Sequence, residues 1–100
     1  MYGFAHPDKQ RPVLVLTRQD VIPLLHTVMV APITSTIRGA PSEVVVGVDQ
    51  GLKRDSAVNL DHIQTVEKSR LCKRLGHVDA GTMRAVCRAL AVATGCSSRL

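Results

Sequence analysis

Short apolar runs, separated by polar residues and by glycine or proline, recur along the first three quarters of the chain. Runs of this length that are rich in valine and isoleucine, and bounded by proline or charge, predict buried strands rather than helices. The clearest runs are residues 12–17, 26–33 and 43–48. A fourth run at 56–60 is expected to continue as one strand to residue 66, and a fifth lies at 71–78. Residues 2–6 are long enough for a brief edge strand.

The last quarter of the chain has a helical period instead. Asp79 is a suitable N-cap, because a carboxylate accepts hydrogen bonds from the unpaired amides of a first turn. Gly95 is placed to end the helix in the left-handed conformation that glycine tolerates. The apolar side chains expected on one buried face are Met83, Val86, Cys87, Leu90 and Ala93 or Thr94.

Five or six short strands followed by one amphipathic helix predict a mainly β, α+β fold. We expect a small, strongly bent sheet or partial barrel with the helix packed against it. A chain of 100 residues has room for one domain, which we place at residues 1–100. Only Tyr2 and Phe4 are aromatic, so the core is aliphatic and modest, which favours an oligomer.

The charge and the cysteine content indicate the class of ligand and the cellular compartment, but they do not indicate the activity. Thirteen Lys and Arg against eight Asp and Glu give a net charge of +5, which is compatible with a polyanionic ligand. The three cysteines, Cys72, Cys87 and Cys96, are odd in number and have no C-x-x-C spacing, so they predict neither a disulfide framework nor a metal site. We also expect no cofactor. We expect a cytoplasmic protein without a membrane segment, since no signal-like or membrane-length apolar run is present.

The candidate chemistry lies at the ends of the first two strong strands. Arg11 stands at the start of the first, and the second ends in Thr34 and Ser35. Pairing these strands would bring Arg11 and Thr34 to one edge. A guanidinium grips phosphate oxygens with two parallel hydrogen bonds, and a hydroxyl can bind the same group. Taken singly, each residue is more often a solvated charge or an ordinary hydroxyl at a strand end.

Several motifs of the chain resemble the motifs of one known family and occur in the same order. The resemblance covers residues 9–95 and is to the MazF/PemK/Kid toxins of toxin–antitoxin modules. The motifs are RPVLVL at 11–16, APITS at 31–35, RDSAVNLDHIQTVEKSRL at 54–71, Gly76-x-Val78, and Thr82-Met83.

This resemblance implies an SH3-like β-barrel of the CcdB/PemK/MazF type with a C-terminal helix. It also implies a homodimer, inhibition by a MazE-like antitoxin, and a sequence-specific, metal-independent endoribonuclease acting on single-stranded mRNA, tRNA or rRNA. The family's catalytic arginine and threonine fall on Arg11 and Thr34. RNA supplies its own nucleophile, the 2′-OH, so the expected products carry 2′,3′-cyclic phosphate and 5′-OH ends.

Further RNA contacts are predicted in two segments. Ser35 and Arg38 lie in the loop that follows the second strand, and Asp61, His62 and Gln64 lie on the strand predicted at 56–66. Alternation along a strand would place Asp61 and the residues two positions away on one face. Asp61 is also a secondary candidate for proton transfer. The alternative is that this face is simply exposed to solvent.

The N-terminus departs from the family pattern. The segment MYGFAHPDKQ replaces a longer first strand and the loop that precedes the arginine, which bears on substrate choice more than on chemistry. Two other functions stay open: a CcdB-like gyrase poison that cuts no RNA, and a degenerate member that only binds antitoxin. Arg11 and Thr34 favour the nuclease, because a gyrase poison needs no phosphate-binding pair.

Overall fold

The computed structural model describes residues 2–4 and 11–96, and over these residues the chain forms seven strands and one α-helix. The mainly β, α+β fold with a C-terminal helix is therefore confirmed. The strands are β1 (Tyr2–Phe4), β2 (Arg11–Val15), β3 (Thr27–Thr34), β4 (Glu43–Val46), β5 (Ser56–Asn59), β6 (Gln64–Glu67) and β7 (Leu71–Arg74), and the helix α1 is Ala80–Thr94. Short 3₁₀ turns lie at Ile22–Leu24, Val48–Gln50, Leu60–His62 and Lys68–Arg70.

Strand β3 is the centre of the antiparallel sheet. The strand order is β4-β5-β3-β2-β1-β7, and β6 also pairs with β3. The first half of β3 pairs with β6, and its last two residues, Ile33 and Thr34, pair with β5. Because one strand changes partner along its length, the sheet bends around β3.

Both faces of the sheet are largely buried where β2 pairs with β3, whereas Thr27 and Met29 in the first half of β3 are exposed. One face, with Leu14 and Ile33, packs under α1, where Val86 is fully buried. The other face, with Val13 and Val30, forms a second apolar cluster together with Val28 and Val66. Strands buried on both faces have nearly continuous apolar sequences, which is why these two are among the clearest runs in the pattern.

The two ends of α1 are as predicted. The Thr82 amide donates to Asp79 Oδ1 at 2.7 Å, and hydrogen bonds from Thr82 lower the pKa of this carboxyl below its usual value. Gly95 ends the helix at φ 77°. The predicted buried face is wrong at one position, because Cys87 is exposed whereas Val86 and Ala89 are buried. The sheet covers the stripe through Met83, Val86, Ala89, Leu90 and Ala93, and Cys87 lies beside this stripe.

The prediction of one continuous strand over 56–66 is also wrong. Leu60–His62 forms a 3₁₀ turn between β5 and β6, and the Asp61 amide donates to the Asn59 side chain at 2.9 Å. Leu60 is 2% exposed and packs into the cluster under α1. Burying this leucine under the helix takes the chain out of β5 and lets it return along a different part of β3.

Two further predictions concern the N-terminal strand and the strand that precedes the helix. The N-terminal strand exists as β1, which pairs with both β2 and β7, and residues 5 and 6 lie outside the described residues. The strand expected at 71–78 ends earlier, at Arg74. Among residues 2–4 and 11–96, no helix is long and apolar enough to cross a membrane.

Candidate active site

The strand register places Arg11 and Thr34 on one face of the sheet. Val13 pairs with Pro32 across β2 and β3. Arg11 lies two residues before Val13 and Thr34 two residues after Pro32, so alternation keeps all four side chains on the same side. Arg11 and Thr34 also line one open cavity of about 1000 Å³. The structure therefore brings the predicted catalytic pair together at the end of the β2–β3 ladder.

The floor of this cavity is apolar and its edge is polar. Val13, Val30 and Pro32 form the floor, and Gln64 of β6 is paired with Val30 and lines the cavity as well. Ser35, directly after β3, lines the same space. An apolar floor with a few converging donors and acceptors is typical of ligand sites.

The two residues of the candidate pair are held differently. Thr34 is half-buried, and its Oγ1 accepts the Thr36 amide at 3.1 Å, which fixes the hydroxyl oxygen and leaves its O–H to donate elsewhere. The Arg11 side chain is exposed at the cavity, so its fork of N–H donors is accessible to a ligand.

A second wall of the cavity comes from the loop between β4 and β5. Lys53 and Arg54 line it there, and Arg70 lines it from the 3₁₀ turn before β7. With Arg11, these make four basic side chains, and none of the described aspartates or glutamates lines this cavity. Like charges around one concave site raise the local concentration of an anionic ligand.

This wall is fixed by close backbone contacts. The Gly47 amide donates to Gln50 Oε1 at 2.6 Å, and Gly51 adopts φ 99°. A Cβ on Gly51 would lie 2.5 Å from the carbonyl oxygen of Leu75, and a Cβ on Gly76 would overlap the carbonyl oxygen of Gln50. Two glycines thus allow the loop to pack backbone against backbone on the segment after β7.

The five predicted RNA contacts divide into two groups. Ser35 and Gln64 line the cavity, whereas Arg38, Asp61 and His62 do not. The placement of Asp61, His62 and Gln64 on one strand is wrong, because the 3₁₀ turn at Leu60–His62 separates the first two from β6.

Two acidic side chains outside the cavity organise the loop after β3. The Arg38 and Gly39 amides each donate to Glu43 Oε1 at 3.1 Å. The buried Ser42 hydroxyl donates to Asp61 Oδ2 at 2.5 Å. The Asp61 carboxylate therefore ties the start of β4 to the turn after β5. Among the described residues, no three His, Cys, Asp or Glu side chains are grouped so as to hold a metal ion.

Sequence reasoning missed the basic wall formed by Lys53 and Arg54. The residues are visible as a basic dipeptide in a loop, but Asp55 follows them and suggests a locally neutral surface. In the structure Asp55 lines a neighbouring hollow together with Asp49, so its carboxylate is not part of the cavity.

An antiparallel sheet that carries an arginine–threonine pair on a basic cavity defines a small protein suited to binding a phosphate-containing polymer. The family model of PemK-like, MazF-like toxins of type II toxin–antitoxin systems matches residues 4–94. The chain belongs to this family, which confirms the resemblance seen in its motifs.

Individual members of the family are similar to this chain over most of their length. A probable endoribonuclease MazF5 of Mycobacterium tuberculosis is 50% identical over 90 residues, covering 88% of this chain and 82% of the relative. The solved M. tuberculosis toxin MazF-mt6 has a TM-score of 0.87 at 40% identity, covering 94% of this chain and 95% of that one. A mycobacterial endoribonuclease solved in complex with its cognate antitoxin has a TM-score of 0.82 at 30% identity, covering 94% and 89%. These structures confirm the MazF-like fold.

Proposed function

We propose that this chain, an endoribonuclease of the toxin family, cleaves single-stranded RNA with Arg11 and Thr34 acting on the scissile phosphate. The observation that carries the proposal is their placement on one sheet face at the rim of a basic cavity. A single strand can lay its backbone along such a rim while its bases reach the apolar floor.

The RNA 2′-oxygen attacks the adjacent phosphorus and the bond from phosphorus to the 5′-oxygen breaks. The 2′-hydroxyl proton is lost and one proton is gained by the leaving oxygen, so the products are a 2′,3′-cyclic phosphate and a 5′-OH. Negative charge accumulates on the phosphate oxygens during this step. Arg11 offers a positive charge and a fork of donors to those oxygens, and Thr34 offers one hydroxyl donor.

The remaining roles follow from position. Ser35 and Gln64 line the cavity, and we assign them to base or sugar contacts next to the cut. RNA binding stays a prediction for Arg38, Asp61 and His62. The Asp61 carboxylate already accepts a hydrogen bond from the Ser42 hydroxyl. The free thiols of Cys87 and Cys96 suit a reducing cytoplasm.

The first test is cleavage of RNA in excess EDTA. We expect purified protein to cut a mixed-sequence RNA and to leave 2′,3′-cyclic phosphate and 5′-OH ends, because the nucleophile belongs to RNA and the charge is supplied by Arg11. End-specific ligation before and after phosphatase or kinase treatment identifies the ends. Products with 5′-phosphate ends, or a strict requirement for added Mg²⁺, would contradict the proposed chemistry.

The partners are a second copy of the chain and a cognate antitoxin of the kind seen with the mycobacterial relative. The exposed apolar side chains Leu24 (81% exposed) and Met29 (48%) at and before β3 support a homodimer. We expect a dimer mass by light scattering at micromolar concentration, since an obligate interface buries well over about 1,000 Å² in total. An active monomer at that concentration would rule the dimer out.

A further inference from the structure

We propose that Lys53 and Arg54 form a second phosphate subsite, which binds a phosphate neighbouring the scissile one on the same RNA strand. The inference rests on the proposed function, because it takes Arg11 and Thr34 as the position of the scissile phosphate. It adds a site for substrate affinity and register that is separate from the site of the chemistry.

The cavity is large enough for more than one nucleotide. Its volume of about 1000 Å³ lies at the upper end of the range for sites that enclose a whole drug-sized ligand. Arg11 and Thr34 enter it from β2 and β3, whereas Lys53 and Arg54 enter it from the β4–β5 loop. A strand whose scissile phosphate lies at the first pair has room to place another part of its backbone against the second.

The charge distribution favours a phosphate over any neutral group at this wall. Within residues 11–96, neither Lys53 nor Arg54 forms an ion pair, and Asp55 lines the neighbouring hollow instead of the cavity. Both basic side chains are exposed, so their charges are available to a ligand. A lysine ammonium and an arginine fork side by side offer several donors to one phosphate.

The backbone that carries the two cations is fixed before RNA arrives. The Gly51–Gly76 contact holds the loop against the segment after β7, and the Ser56 hydroxyl donates to the Arg54 carbonyl at 3.2 Å. A held loop loses less conformational freedom on binding than a mobile one, which strengthens the affinity that each phosphate contact provides.

The first arm of the test is a binding titration on a 2′-O-methyl RNA, which the protein cannot cleave. The variant Lys53→Gln/Arg54→Gln should bind about 10-fold or more weakly, and its slope of log affinity against log salt should flatten by about 0.7 for each lost phosphate contact. The matched control is Arg84→Gln/Arg88→Gln on the exposed face of α1, which removes the same charge away from the cavity. The control should keep the wild-type slope and should cut saturating RNA at the wild-type single-turnover rate.

The second arm locates the phosphate on wild-type protein. A neutral methylphosphonate linkage is placed at one position at a time along the 2′-O-methyl RNA, and the affinity of each RNA is measured. We expect the substitution to weaken binding at the cut and at a second position nearby. At the second position, the methylphosphonate should weaken binding to the wild type and to the Arg84/Arg88 control. It should not weaken binding to the Lys53/Arg54 variant, because that variant has already lost the side chains that contact this phosphate. The subsite would be overturned if no position beyond the cut weakened binding to the wild type while leaving binding to the Lys53/Arg54 variant unchanged. Equal affinities for the two double variants would overturn it as well.

The outcomes separate this inference from the proposed function. If the protein cuts RNA but the Lys53/Arg54 variant behaves like the control, the subsite fails and the function stands. If the coupled second position is found but no RNA is cut, the function fails and the phosphate subsite stands.

Discussion

Replacing Arg11 by alanine is expected to lower the single-turnover rate of RNA cleavage by at least about 10²–10³-fold, which is the loss typical of removing one donor to a developing anion. The arginine brings a charge as well as several donors, so its loss should exceed that of any other single residue in the cavity. Its side chain is exposed, and alanine leaves no hole in the core. The variant should fold, dimerise and bind antitoxin as before.

Thr34 provides the matched comparison. Thr34→Ser keeps the hydroxyl, which both accepts the Thr36 amide and can donate to the phosphate, and it should retain most of the rate. Thr34→Ala removes both interactions and should lower the rate by less than Arg11→Ala does, because one neutral donor is lost rather than a charged fork. Arg11→Lys keeps charge without the fork and should fall between the wild type and Arg11→Ala.

The measurement separates chemistry from binding. Single-turnover cleavage at saturating RNA gives the rate, and titration of a 2′-O-methyl analogue gives the affinity, which should change far less than the rate. An Arg11→Ala protein that cuts near the wild-type rate would remove this residue from the mechanism. If that protein is also fully toxic in cells, an interaction protein of the same fold becomes the better description.

Much of the fold could be predicted because its signals are local. The runs in β2 and β3 are apolar on both faces, and the ends of α1 carry their own cap residues, Asp79 and Gly95. The break at Leu60–His62 had no such signal, since Leu60 and Ile63 fit a strand pattern as well as a turn. Only the helix that covers Leu60 decides between them, and that contact is distant in sequence.

The candidate site also has one part that could be predicted from the sequence and one part that could not. Arg11 and Thr34 were predictable because two adjacent strands, once paired, must bring their ends together, and family motifs mark both residues. The cationic wall was not predictable, because Asp55 follows Lys53 and Arg54 in the chain. Which side of the loop faces the cavity is set by the contact between Gly51 and Gly76, a long-range meeting of two backbones.

Gly76→Ala is expected to disrupt this backbone contact. A Cβ at residue 76 would overlap the carbonyl oxygen of Gln50, and because the obstacle is backbone, no side-chain rotation can relieve it. We expect the free energy of unfolding to fall by about 1–3 kcal/mol, as in other overpacked sites. We also expect weaker binding of 2′-O-methyl RNA, because relieving the overlap shifts the loop that carries Lys53 and Arg54 from its position at the cavity.

Gly81→Ala is the control, since its added Cβ would lie no closer than 3.6 Å to the nearest atom of Asp79, an ordinary contact. Urea unfolding of the two variants and the wild type should show a lower midpoint for Gly76→Ala alone. Arg11 and Thr34 do not belong to the displaced loop, so the single-turnover rate at saturating RNA should fall less than the affinity does. If Gly76→Ala unfolded at the wild-type midpoint and bound RNA with wild-type affinity, the backbone contact would not position the cationic wall, and the loop would have to be held by its own hydrogen bonds, from Gly47 to Gln50 and from Ser56 to Arg54.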